Sequence, residues 1–312
     1  ASPRWKRVSR SFRSPGGSSR YPGMRTAPHA HAIGWILLLL TAACATPSAD
    51  ELFEQGLAAE TAATADPSAA AASYQAAAAT GHPGAHNNLG LLHYRGRGVP
   101  QDLAAAATCF QAAAAQDFAP ALCNLGVMQL FGQAMPADPV AAAGLLRRAA
   151  RKGDCRAAYL LGAVLDEGFG VPADPTAAAH WYERAAAQDH AAATLRLARL
   201  CWQGRGVPTD RARAVELLRG RAAAGDTAAQ AQLGNWFCRG AEIERSAALD
   251  WLEAASAAGH AGAQYDLGLL LLRGAVVAED RTRGAALVAQ AAAAGLPAAL
   301  ARSDALAAAP GR

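Results

Sequence analysis

Lysine is almost missing from this chain: Lys6 and Lys152 are the only two in 312 residues. A serine nucleophile of the Ser-x-x-Lys type needs a lysine one helical turn away to manage its proton. The residue three before Lys152 is Ala149, so that chemistry is excluded. Also absent are a Gly-x-Ser-x-Gly elbow, His-Glu-x-x-His, Cys-x-x-Cys and a Walker-type glycine loop. Aromatic residues make up only 6% of the chain while apolar residues reach 52%, with alanine dominant. That is a helix-rich profile with few large core side chains, unlike a conventional globular enzyme.

Acid is missing from residues 1–25, which carry Arg4, Lys6, Arg7, Arg10, Arg13, Arg20 and Arg25. This piece contributes +7 to a whole-chain charge of +4 and leaves −3 for residues 26–312. A nucleic-acid binder concentrates positive charge on its folded part, and here the reverse holds, so no nucleic-acid partner is expected.

Residues 1–23, rich in Arg, Ser, Gly and Pro without an apolar period, read as disordered and upstream of a start at Met24. Met24 and Arg25 form a short basic region, and Ala32 to Leu40 is an uncharged apolar run too short to span a bilayer comfortably. Residues 24–43 are therefore expected to be a signal peptide. Thr41-Ala42-Ala43-Cys44 then resembles the lipobox of bacterial lipoproteins, which implies lipidation at Cys44 and a short tether over 44–49. Cleavage after Ala43 to give a free periplasmic protein is the alternative.

The strongest signal is internal repetition. Leu89-Gly90 recurs as Leu125-Gly126, Leu161-Gly162, Leu197-Ala198, Leu233-Gly234 and Leu267-Gly268, at spacings of 36, 36, 36, 36 and 34. Four residues before each Leu stands Ala85, Ala121, Ala157, Ala193, Ala229 or Ala263, the mark of a close helix approach. Seven after it stands Gly96, Gly132, Gly168, Gly204, Gly240 or Gly274, the expected left-handed helix stop. The loop Gly96 to Asp102 is echoed at 168–174 and 204–210, and its recurrence makes Gly-Arg-Gly-Val a helix connection and not a phosphate cradle. Asp66, Asp102, Asp138, Asp174, Asp210, Glu244 and Asp280 are expected to cap second helices near 67–80, 102–116, 138–152, 174–188, 210–224, 244–258 and 280–294. The short fifth spacing loses its two residues between Gly240 and Glu244, in a loop, and leaves both helices whole.

These columns resemble Sel1-like repeats, relatives of the tetratricopeptide repeat. The resemblance covers 83–296 well and 50–82 weakly. It implies an all-α, α/α superhelical solenoid of about seven helix pairs over 50–312, with a divergent first pair at 50–82 and a capping helix within 297–312. It also implies a non-enzymatic protein-protein interaction scaffold or adaptor, often in the bacterial envelope. With the lipobox this becomes a periplasm-facing lipoprotein, with Ala45 favouring the outer membrane. Its partners would be other envelope proteins or peptides, and it would touch membrane through the lipid alone. A glycan or peptidoglycan-binding module, and less so a peptidoglycan-related hydrolase, stay open as alternatives.

No cofactor or metal is expected: His82, His86 and His93 lie close together but lack a nearby carboxylate or cysteine ligand. Cys109 and Cys123 flank a turn at Asp117 and could pair, or could be buried apolar residues. Trp181, Trp202, Trp236 and Trp251 read as repeat packing.

A partner site is sought where the columns vary. On each first helix the positions one before, two after and six after the Leu share a face. They hold Asn88, Leu91 and Arg95; Asn124, Val127 and Phe131; Arg196, Arg199 and Gln203; Gln232, Asn235 and Arg239. First helices line the concave side of related solenoids, so Asn88, Arg95, Asn124, Arg196, Arg199, Gln232, Asn235 and Arg239 would form a groove for an extended peptide or acidic segment. A merely solvated face is the alternative. On either view Asn124→Ala is expected to cost little, whereas Ala157→Leu should overpack the seam.

Overall fold

The computed structural model describes residues 47–62, 64–238, 245–274 and 277–307. Cys44, the signal-peptide segment, Arg239, Gly240 and Glu244 therefore lie outside the described residues, as does the shortened fifth loop.

Fifteen helices and no strand occur among the described residues. In chain order they are α1 Ala49–Thr61, α2 Pro67–Ala79, α3 Pro83–Arg95, α4 Leu103–Ala115, α5 Ala119–Phe131, α6 Pro139–Arg151, α7 Cys155–Glu167 and α8 Pro175–Ala186. They continue as α9 Ala191–Gln203, α10 Arg211–Ala223, α11 Thr227–Cys238, α12 Arg245–Ala257, α13 Ala261–Arg273, α14 Arg281–Ala293 and α15 Pro297–Ala307. Each helix packs on its neighbours in the chain, giving seven pairs and a closing helix. None is long and apolar enough to cross a membrane.

Helices this short hold only if their ends are satisfied and one face is buried. The ends follow the repeat. Asp66, Asp102, Asp138, Asp174, Asp210 and Asp280 each accept from backbone N–H groups in the first turn of the second helix that follows. First helices are capped by a column the sequence reading overlooked. Asp154 and Asp226 stand there, and so do His82, His190 and His260, whose Nδ1 atoms accept from Ala85, Ala193 and Ala263 at 3.0, 3.3 and 3.2 Å. His82 also stacks on Phe53, with ring centroids 4.4 Å apart, so its role is a cap.

The second residue of each Leu-Gly pair is a hole. A Cβ on Gly90 would come within 2.7 Å of the Phe110 ring, and one on Gly162 within 2.7 Å of Tyr182. Leu146, Leu252 and Val288 occupy the same place opposite Gly126, Gly234 and Gly268. All five side chains are fully buried, and burying an aliphatic or phenyl group stabilises by roughly 1.5–3 kcal/mol. The divergent pair α1–α2 obeys the rule too, since Gly56 faces buried Tyr74. The hole therefore survives where the loop motif does not.

Between repeats, the alanine column is buried throughout, from 0% exposure at Ala85, Ala121, Ala157, Ala193 and Ala263 to 2% at Ala229. The loops interlock as well. Gly98, Gly170 and Gly206 have φ of +71°, +68° and +71°, and a Cβ there would run into Pro67, Pro139 and Pro175, the first residues of the preceding repeat's second helix. In the one described copy with alanine in this place, Ala134 at φ +59°, the residue 31 positions earlier is Leu103 instead of proline.

A groove along the first helices

The stripe residues are not free side chains on a solvated face. Asn124, expected to tolerate truncation, is only 8% exposed. Its Nδ2 donates to Asn87 Oδ1 of α3 at 3.0 Å, and its Oδ1 accepts from Arg156 Nη1 of α7 at 2.8 Å. Asn87 Nδ2 in turn donates to Asn88 Oδ1 at 3.1 Å, so half-buried Asn88 ends the same chain. Burial and two hydrogen bonds to neighbouring first helices overturn the expectation that Asn124→Ala costs little.

The same device continues along the molecule with different chemistry. Arg196 of α9 pairs with Glu167 of α7 at 3.2 Å. Arg199 Nε donates to Gln232 Oε1 of α11 at 2.8 Å, and Asn235 Nδ2 donates to Asp266 Oδ2 of α13 at 2.9 Å. Every step between consecutive first helices from α3 to α13 thus carries one polar rung. Asn87 and Arg156 lie beside the stripe and are missed when it is read one helix at a time, while Glu167 and Asp266 hold stripe positions on α7 and α13, the two first helices left out of it. The signal was available, since complementary polar residues recur 29 to 37 positions apart, close to one repeat.

At the helix ends the residue after the stop glycine reaches back to the preceding repeat. Tyr94 Oη donates to Gln133 Oε1 at 3.2 Å, Phe131 and Phe169 lie with ring centroids 6.3 Å apart, and Arg205 binds the Asp166 carbonyl. Arg95 is exposed and touches no carboxylate within ion-pair distance among the described residues.

Two clefts open on this face, and each spans three consecutive first helices. One, of about 140 Å³, lies over α3, α5 and α7 and is lined by Arg95 and Asn124 among others. The other, of about 420 Å³, lies over α9, α11 and α13 and is lined by Arg199, Gln232 and Asn235. Of the eight candidate residues, five therefore border a cleft, Asn88 and Arg196 serve rungs beside them, and Arg239 is outside the described residues.

No group of three or more His, Cys, Asp or Glu side chains could hold a metal among the described residues. Cys109 and Cys123 carry free thiols, and burial pushes that of Cys123 up to about 12, away from the reactive thiolate. Burial likewise holds the Tyr182 phenol far above its usual range, so it stays neutral. Trp202 stacks on Trp236 at 4.5 Å and carries the Arg211 guanidinium at 4.9 Å, while Trp181 is buried beneath Arg184.

Six consecutive segments, 83–118, 119–154, 155–190, 191–225, 227–260 and 261–296, match the family model described as Sel1 repeat. No curated protein matches by sequence. A protective antigen present in uropathogenic Escherichia coli strains, with an SLR fold, is 29% identical with a TM-score of 0.75 over 88% of this chain. The match takes in 59% of that protein's own length. A Sel1 repeat protein from Oxalobacter formigenes is also 29% identical, with a TM-score of 0.65, over 83% of this chain and 76% of the other.

Proposed function

This chain belongs to the Sel1 repeat family, whose repeats generally mediate protein-protein interaction, and on that premise we propose that it is a scaffold of the bacterial envelope that holds other proteins along its first helices. The observation that carries this is the pair of clefts, each bridging three first helices and each bordered by amides and arginines. Such side chains hydrogen-bond extended backbone and acidic groups, and a face built on three helices at once is rigid enough to present them.

The envelope part of the proposal rests on the lipobox-like Thr41 to Cys44. Several acyl chains on Cys44 would anchor the protein stably, where one chain alone binds only marginally. Cys44→Ser is expected to move the protein from the membrane to the soluble fraction and to abolish labelling by a palmitate analogue. A wild type that is soluble and unlabelled would remove the anchor.

The groove is tested in intact cells with a photo-crosslinking amino acid at position 199, in the larger cleft, and at exposed Arg147 on α6 as a control. Adducts to a defined set of proteins from position 199 alone are expected. Equal recovery from both positions would sink the groove.

A further inference from the structure

The two clefts differ in charge, and the difference names what the smaller one takes. In the larger, Arg199 faces a cleft that also contains Asp266, so positive charge meets negative inside it. In the smaller, Arg95 and Arg156 are both lining residues and neither forms an ion pair with a carboxylate among the described residues. The helices α3 and α5 contain no Asp or Glu at all. The acids of α7 and its cap are already committed: Asp154 accepts from Ala157 N at 2.7 Å, Asp166 is held by Arg205, and Glu167 by Arg196. Two like guanidiniums beside one cavity repel each other, and an anion between them relieves that repulsion while supplying acceptors for their idle N–H groups. Arg156 spends one donor on Asn124, at 2.8 Å, and Arg95 spends none on another side chain among the described residues.

Size and lining narrow the anion. Leu91, Val127 and Met128 line the same cleft as the two guanidiniums and make part of its wall apolar. The volume of about 140 Å³ falls well below the roughly 300 Å³ at which small-molecule sites begin. A cleft of that size takes a small side-chain group, such as a carboxylate on a short aliphatic stem, and not a drug-sized molecule.

We propose that the cleft between α3, α5 and α7 is a specificity pocket for a glutamyl side chain of an extended partner segment, its methylenes on Leu91, Val127 and Met128 and its carboxylate between Arg95 and Arg156. This rests on the scaffold reading and adds to it the chemistry of one contact. The occupant is an internal acidic side chain, because the face runs on past the pocket toward α9 and a chain terminus held here would leave the rungs beyond it uncovered.

The test uses the full chain with arginine Nε–Hε resonances observed by NMR, titrated with the capped peptide acetyl-Ala-Leu-Glu-Leu-Ala-amide. Saturable shifts at Arg95 and Arg156 are expected, with at least tenfold weaker binding for the peptide carrying Gln in place of Glu. Arg95→Gln should weaken the glutamyl peptide by a similar factor with unchanged circular dichroism, since Arg95 is exposed and supports no rung. Equal shifts for the Glu and Gln peptides, no shift at millimolar peptide, or tighter binding of inorganic phosphate or of an uncapped C-terminus would each overturn the proposal. Cross-linking at position 199 that still recovers proteins while this pocket stays silent would remove the glutamate pocket and leave the scaffold standing.

Discussion

On each first helix from α3 to α13 one column is alanine in every copy, Ala85 to Ala263, while the column three residues on reads Asn88, Asn124, Leu160, Arg196, Gln232 and Asp266. Both columns help join the repeats, yet only the first repeats its residues. The seam residues are all but fully buried, so the space at each takes a methyl and little more. A rung needs only a donor opposite an acceptor, so amide–amide, guanidinium–amide, guanidinium–carboxylate and amide–carboxylate pairs all serve. Variation in a repeat column is therefore no sign of freedom, because each copy can be matched to its own neighbour.

The comparison is broken most strongly from the seam. Ala157→Leu is expected to cost roughly 1–3 kcal/mol by overpacking α7 against its neighbours, read as a lower melting temperature and urea midpoint. Asn124→Ala comes next, at about 1–2 kcal/mol, because it strands Asn87 Oδ1 and an Arg156 donor together. A double-mutant cycle with Asn87→Ala should show coupling of at least about 0.5 kcal/mol. Additive losses would mean that the rung carries no energy and that the column is ordinary surface.

Ala134→Gly runs the other way. It relieves a left-handed alanine at φ +59° and is expected to raise stability by about 1 kcal/mol, with loop packing otherwise kept. Unchanged or lower stability would show that the loop tolerates alanine without strain.

A smaller effect comes from pH. Burial acts to raise the Asp226 carboxyl, but the backbone N–H of Ala229, the Arg221 guanidinium and the N–H of Ala228 outweigh it and hold it below the ordinary carboxylate range. A depressed folded value means stability that is present above the unfolded pKa, near pH 4, and is lost as pH falls through the folded one. Asp226→Asn should flatten that part of the acid slope, whereas Asn124→Ala should leave its shape alone. Smallest of all, Arg199→Gln should change stability by no more than about 0.5 kcal/mol, since its rung to Gln232 lies at an exposed guanidinium, while reducing the proteins recovered by a cross-linker placed at exposed Ala228 in the same cleft.

Much of the fold was legible because its determinants are local or periodic. Second-helix bounds read from the Asp caps fall within a residue or two of those observed, as at 102–116 against Leu103–Ala115. The closing helix, expected within 297–312, is observed at Pro297–Ala307. The candidate site was less legible. Arg95, Arg199, Gln232 and Asn235 border the two clefts, whereas Asn124, expected to tolerate truncation, is buried in a rung, and the rung partners Asn87, Arg156, Glu167 and Asp266 are not among the expected residues. Capping by His82, His190 and His260 was also missed, although they share a column with Asp154 and Asp226.

The sequence by itself determined the repeat, its helix ends and the places where only glycine or alanine fits, because these follow from backbone geometry within one period. Only the tertiary structure decided which polar residues face each other. A rung depends on the stagger between successive helices, 29 to 37 positions along the chain, and that stagger is set by how the Gly holes and alanine seams pack. The same stagger left Arg95 and Arg156 on one cleft without a carboxylate between them, a charge arrangement that neither helix carries alone.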